Sequence, residues 1–143
     1  MAETYETASP GDRMTSYVPH AAALGMTLVS IEKGTGVMQI AWRDDLVGDP
    51  ETGVIASGVV TALIDHTCGL AISSAGDVPA TIATLDLRID YLRPAGPRLG
   101  VTVQANCYKL TRSIGFVRAQ AWDVDPSDLV ATAQASFMLT RPE

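Results

Sequence analysis

The sequence predicts an α+β domain in which one long apolar helix packs against one curved antiparallel sheet of about six strands. Three observations carry this. The run "GVIASGVVTALIDHTCGLAI", Gly53 to Ile72, is apolar on nearly every side and has helical length. From residue 81 the hydrophobic period changes to two, in "TIATLDLRIDYL" and again in "LVATAQASFML". The turns between the late segments are short, which makes those segments neighbours in an antiparallel meander. With 143 residues, 47% of them hydrophobic and 18% charged, the chain suits one domain with a real core.

The elements follow in order. Residues 1–11 read as a loose tail ahead of a single domain over 12–143. "DRMTSYVPHAAALGM" holds a short helix ending near Gly25. "MTLVSIEKGTGVMQIAWR" reads as a hairpin with Gly34 and Gly36 in the turn. "DDLVGDPETG" is an acidic loop broken by Gly48, Pro50 and Gly53. Ser57 is a plausible N-cap for a helix over Gly58 to Ile72. In the strand that follows, Ala83, Leu85, Leu87, Ile89 and Tyr91 take one face, and Thr84, Asp86, Arg88 and Asp90 the other. "RPAGPR" turns the chain into "LGVTVQANCYKL", with Val101, Val103, Ala105 and Cys107 inward. "TRS" leads to "IGFVRAQAWDV", and "DPSD" to a last strand whose inner face is Leu129, Ala131, Ala133, Ala135, Phe137 and Leu139. A helix that is apolar all round needs cover on every side, and one sheet supplies a single side. A second subunit is the simplest source of the rest.

Composition narrows the function. A formal net charge of −6 argues against a nucleic-acid partner for the surface as a whole. The start, "MAETYETASPGDR", is acidic and has no apolar core, so no signal peptide is expected. No uncharged run reaches the ~18–20 residues of a membrane span. Cys68 and Cys107 sit in apolar segments without ligand spacing, as buried thiols do in a reducing compartment. A cytoplasmic location is the expectation. Two histidines exclude a multi-histidine metal site, and no other metal-ligand spacing occurs. There is no phosphate loop, dinucleotide fingerprint or nucleophile elbow, so no cofactor is implied.

Asp65 stands in the middle of the apolar helix. At about 100° per residue it shares a face with Gly58, Thr61, Ala62, Cys68, Gly69 and Ile72, most of them small. A partner helix or a ligand can approach such a thin face closely. A buried carboxylate is costly unless it is paired or bonded, so Asp65 either meets an arginine or caps a loop, or it serves an active site. His66 points elsewhere on the helix and forms no dyad with it. His66 and His20 read as core or interface histidines, and Trp42, Tyr91 and Phe116 as core or interface aromatics.

The stretch "GVIASGVVTALIDHTCGLA" resembles the G-x-x-H-G-G-x-x-x-x-L-x-D-x-x-x-G-x-A signature of hotdog-fold acyl-CoA thioesterases. It is most similar to the phenylacetate-pathway (PaaI-like) branch and also to 4-hydroxybenzoyl-CoA thioesterase. "TLDLRIDYLRPA" resembles the strand that follows in that family, and the likeness runs over roughly residues 20 to 140. It implies a long helix wrapped by the sheet, subunits joined edge to edge as a dimer, with a tetramer left open, and an active site between subunits. It implies hydrolysis of an acyl-CoA thioester, with Asp65 as general base or nucleophile. The backbone N–H groups of Ser57 and Gly58 would form the oxyanion site, a role that suits a helix N-terminus. Thr84 would position water. By the same resemblance, Arg93 and Pro94 of "RPA", and Lys109, Arg112 and Ser113 of "KLTRS", lie along the groove for the CoA nucleotide, with Arg98 a further cationic candidate.

The sequence departs from the signature at two places. The family's histidine is Ala56 here and its first glycine is Ser57. The loop upstream, "GDPETG", carries no amide, and Glu51 is its nearest polar candidate. These departures keep open a second reading, a non-catalytic acyl-CoA sensor or carrier on the same fold. A hydratase reading lacks its histidine-bearing loop.

Overall fold

The computed structural model describes residues 8–77 and 81–141. Two short helices, α1 (Pro10–Met14) and α2 (Pro19–Leu24), open the chain. The hairpin of β1 (Met26–Glu32) and β2 (Thr35–Ile40) follows. A 3-10 turn over Asp44–Leu46 leads to the small pair β3 (Val47–Asp49) and β4 (Val54–Ile55), then to α3 (Ser57–Ser73). Strands β5 (Thr81–Tyr91), β6 (Val101–Leu110), β7 (Ile114–Trp122) and β8 (Ala131–Thr140) complete the chain. Six strands form one sheet in the order β1-β2-β6-β7-β8-β5, and every pairing is antiparallel.

The core lies between α3 and the concave face of the sheet. Leu63, Ile64, Leu70 and Ile72 of the helix are at most 1% exposed. They meet a floor of small residues. Ala105, Ala119 and Ala133 pair in register across β6, β7 and β8. Bulky helix side chains over a small-residue floor are the complementary sizes that close packing needs. A Cβ on Gly36 in β2 would lie 2.7 Å from Leu70 Cδ2, so the helix passes close over that strand. The buried hydroxyl of Thr67 is satisfied by the Leu63 carbonyl at 2.6 Å.

Several expectations change here. The tail was expected to run to residue 11. Residues 1–7 lie outside the described residues, but Ser9 caps α1, its side chain accepting from the Asp12 N–H. The single helix before Gly25 is two, parted around Pro19, whose ring and missing N–H permit a helix start and bar continuation. The β1–β2 turn centres on Gly34, whose φ of 77° a side chain resists, while Gly36 belongs to β2. The expected loop after Trp42 contains the β3–β4 pair. Ser57 is not the N-cap. Ala56 holds the extended cap conformation, makes no side-chain bond, and Ser57 is the first helical residue.

The largest correction is in β5. Thr84 pairs with Phe137 and Asp86 with Ser136, so Leu85 is the extra residue of a bulge. A bulge flips the two-residue alternation. Ahead of it Ile82 and Thr84 face the helix with Leu139 and Phe137, and beyond it Leu87 and Ile89 do. Ala83 and Leu85, expected inward, are therefore exposed, Leu85 by 50%. Thr84, expected on the outer polar face, points at α3.

Candidate active site

The side of α3 that runs along β5, the edge strand of the sheet, decides where chemistry is possible. Gly58, Thr61, Ala62, Asp65 and Gly69 recur there at helical spacing and are exposed or half-buried. A Cβ added at Gly58 or Gly69 would meet nothing within 4 Å. Cys68 and Ile72, expected on this face, are buried beneath it instead, since they lie at its margin toward the sheet. The Cys68 thiol is pushed up to about 12 by burial and by the charge of Asp65, which makes it an inert packing group. Asp65 thus stands half-open on a small-residue strip. It pairs with no arginine among the described residues. Instead the Thr84 hydroxyl donates to Asp65 Oδ1 at 2.8 Å. Only the bulge at Leu85 makes this contact possible. A hydroxyl held on one carboxylate oxygen fixes the rotamer and leaves the second oxygen for a substrate or water.

A separate apolar cleft of about 320 Å³ lies at the start of α3. Val54, Ile55, Val60 and Val130 form its apolar wall, and Ser57 and Tyr91 its polar edge. Because Ala56 offers no capping oxygen, the first N–H groups of α3 are left for another acceptor. Pro94 and Arg93 stand at the rim. Arg93 is not a free cation, however. Its Nη1 and Nη2 bind Asp123 in a fork, each at 2.8 Å. Its remaining donors reach Asp128 and the Pro94 carbonyl. All five guanidinium protons are used, which leaves none for a phosphate. The same fork holds the Asp123 carboxyl well below the usual carboxylate range, helped by the N–H groups of Gly96 and Val124. Arg93 therefore pins the loop that forms the rim.

Lys109, Arg112 and Ser113 stand elsewhere, on and around the β6–β7 turn. That turn lies at the C-terminal end of α3, where Gly115 abuts Ile72 and Leu110 abuts Gly76. Lys109 and Arg112 are exposed and pair with no carboxylate among the described residues. The Arg98 guanidinium stacks on Trp42 at 4.6 Å, which orients it beside Gly53. His66 is satisfied by the Met14 carbonyl, as expected of a core histidine. Within one chain the sequence-predicted residues thus form three groups: Asp65 with Thr84, Ser57 and Gly58 with the cleft rim, and the β6–β7 turn. Tyr91 is the cleft residue that the sequence reading assigned to packing. Its position beside "RPA" is the signal that could have found it.

A family model of the thioesterase superfamily matches residues 52–130, the segment that holds α3, β5, β6 and β7. The chain belongs to the thioesterase superfamily. Its fold is the hotdog fold of that family. A Halobacterium salinarum protein named as an esterase is 31% identical over 90% of this chain and 91% of its own. The medium/long-chain acyl-CoA thioesterase YigI of Escherichia coli is 25% identical, covering 90% of each chain. Among solved structures, a Pseudomonas aeruginosa protein superposes with a TM-score of 0.81 at 32% identity, over 90% of this chain and 96% of the other. A point mutant of the phenylacetic acid degradation protein PaaI of Thermus thermophilus gives 0.73 at 27%, over 87% and 99%. PaaI-like thioesterases are thus among its structural neighbours, and family membership supports thioester hydrolysis. No helix among the described residues is long and apolar enough to cross a membrane.

Proposed function

We propose that the protein hydrolyses acyl-CoA thioesters to a free acid and CoA at a site shared by two subunits, with Asp65 as general base or nucleophile. One observation carries this reading: a carboxylate held by Thr84 on the open, small-residue strip of a hotdog helix. Geometry then requires a second chain. Asp65 lies eight residues beyond Ser57, about 12 Å along the axis at 1.5 Å per residue. A carbonyl polarised by the Ser57 and Gly58 N–H groups must sit within about 3 Å of them and of its attacking group. One chain cannot do both.

A two-fold axis placed midway between the two residues resolves this. It sets α3 of one subunit antiparallel to its copy, with the partner's Asp65 beside Ser57 and Gly58. Gly58, Ala62 and Gly69 leave the room that such an approach needs. The outer edge of β5, which pairs with no strand among the described residues, offers the sheet pairing that goes with it. The same axis carries the partner's β6–β7 turn past the start of α3, so Lys109, Arg112 and Ser113 face the cleft mouth from the other subunit. There these cations, which pair with no carboxylate among the described residues, receive the CoA phosphates. Pro94 and the apolar wall take the uncharged part of the thioester, while Arg93 acts only on the loop. Two free thiols, Cys68 and Cys107, fit a reducing cytoplasm.

The test is thiol release from a panel of aryl- and fatty-acyl-CoAs by wild type and Asp65→Asn, with the oligomer followed by sedimentation. Release by wild type alone, from dimers or tetramers of equal size, is the expected result. Near-normal turnover by Asp65→Asn would remove the carboxylate from the mechanism. The side chain of Ala56, which offers no polar group at the oxyanion site, favours the second reading of a sensor or carrier. Acyl-CoA binding with no release from any ester would establish that reading instead.

A further inference from the structure

The first turn of α3 is tied to the sheet by two hydroxyl groups. Tyr91, the last residue of β5, is 45% exposed and lines the cleft. Its hydroxyl lies 2.9 Å from the Ser57 carbonyl oxygen. The Thr61 hydroxyl lies 3.0 Å from the same oxygen, and the two hydroxyls also meet each other. Two hydroxyl protons serve three contacts. One proton therefore sits on the Ser57 oxygen and the other bridges the hydroxyls, whichever residue supplies each.

The Ser57 carbonyl belongs to the peptide group whose N–H is that of Gly58. A hydrogen bond to an amide oxygen draws electron density from the nitrogen and strengthens its N–H as a donor. Bonds linked in this way reinforce one another by roughly 10–30%. The hydroxyl pair thus acts on one N–H of the oxyanion site through the plane of a single peptide. It also fixes that plane against β5, whose next residues are pinned through Arg93 and Asp123.

We propose that Tyr91, with Thr61, is a positioning residue that holds and polarises the Ser57–Gly58 peptide so that the Gly58 N–H stabilises the oxyanion. This rests on the thioesterase reading above. The aromatic ring contributes to the cleft wall, and the hydroxyl contributes to the chemical step.

Tyr91→Phe keeps the ring and removes one hydroxyl, Thr61→Val removes the other, and the double variant carries the test because either hydroxyl alone can still donate to the Ser57 oxygen. A 10–30% loss on a donor that accounts for about two to three orders of magnitude in kcat gives a fall of about 1.6- to eight-fold. KM stays unchanged, because the interaction strengthens only as charge develops. The second readout needs no substrate: in 15N-glycine-labelled protein the Gly58 amide resonance moves upfield in the double variant while that of Gly25 stays. A lower kcat at constant KM together with the shifted Gly58 signal supports the proposal. A raised KM with unchanged kcat makes Tyr91 a binding surface and overturns it. An unmoved Gly58 signal shows that the peptide is not polarised, and also overturns it. If wild type hydrolyses no ester, the thioesterase reading itself has failed, and a shifted Gly58 signal would leave a structural clamp without the catalytic role.

Discussion

Replacing Asp123 by alanine tests whether the cleft rim is held by one carboxylate. The Asp123 side chain is 6% exposed and accepts four hydrogen bonds. Two come from Arg93 at 2.8 Å, one from the Gly96 N–H at 2.9 Å and one from the Val124 N–H at 2.7 Å. Alanine leaves the guanidinium without its fork and the Gly96 N–H without its acceptor. The Val124 contact is exposed and contributes little. Losing one partner of a buried, bonded charge costs about 3–5 kcal/mol, and partial exposure of the pair reduces this to about 2–4 kcal/mol. With an unfolding entropy of about 2.1 cal/mol/K per residue, that corresponds to a fall in Tm of about 7–13 °C. Differential scanning fluorimetry at matched subunit concentration measures it. The pH dependence has a definite sign. Asp123 titrates below its unfolded value, so its contribution is present above about pH 4 and is lost as pH falls through the lower folded value. The stability gap between wild type and Asp123→Asn should therefore narrow below about pH 4. A Tm change under 2 °C, or a gap that stays constant down to pH 3, would refute the reasoning.

Two further outcomes follow from single contacts. Thr84→Val removes the hydroxyl from Asp65 and should lower kcat about ten-fold, the worth of one exposed charge-assisted hydrogen bond, while Thr84→Ser should restore it. Equal rates in the valine and serine variants would show that the hydroxyl does not serve the carboxylate. Gly100→Ala places a Cβ 2.4 Å from the Ile40 carbonyl oxygen and 3.1 Å from Ala41 Cα, backbone atoms that cannot yield. It should cost about 3 kcal/mol and lower Tm by about 10 °C, read by the same thermal assay; an unchanged Tm would mean that β2 and β6 can separate freely there.

Periodicity alone determined the parts that depend on local pattern. The alternation of Ala131 to Leu139 made β8 legible, because one face is buried against α3 and the other meets solvent, whereas Leu129, read as inward, lies before the strand and half-buried while Val130 takes the buried place. The apolar helix with one carboxylate was legible for the same reason, and the small residues around Asp65 marked the face left open. Tertiary structure decided what pattern cannot encode. The bulge at Leu85 exists only in the pairing of β5 with β8, and it turned Thr84 from the outer face toward Asp65. Arg93 looked like a free cation until Asp123 and Asp128, distant in sequence, were brought against it. The distance between Ser57 and Asp65 along one rigid helix is plain arithmetic once the helix is known. Its consequence is spatial: a carbonyl a few ångströms across cannot span two turns of helix, so chemistry at both ends needs a second chain.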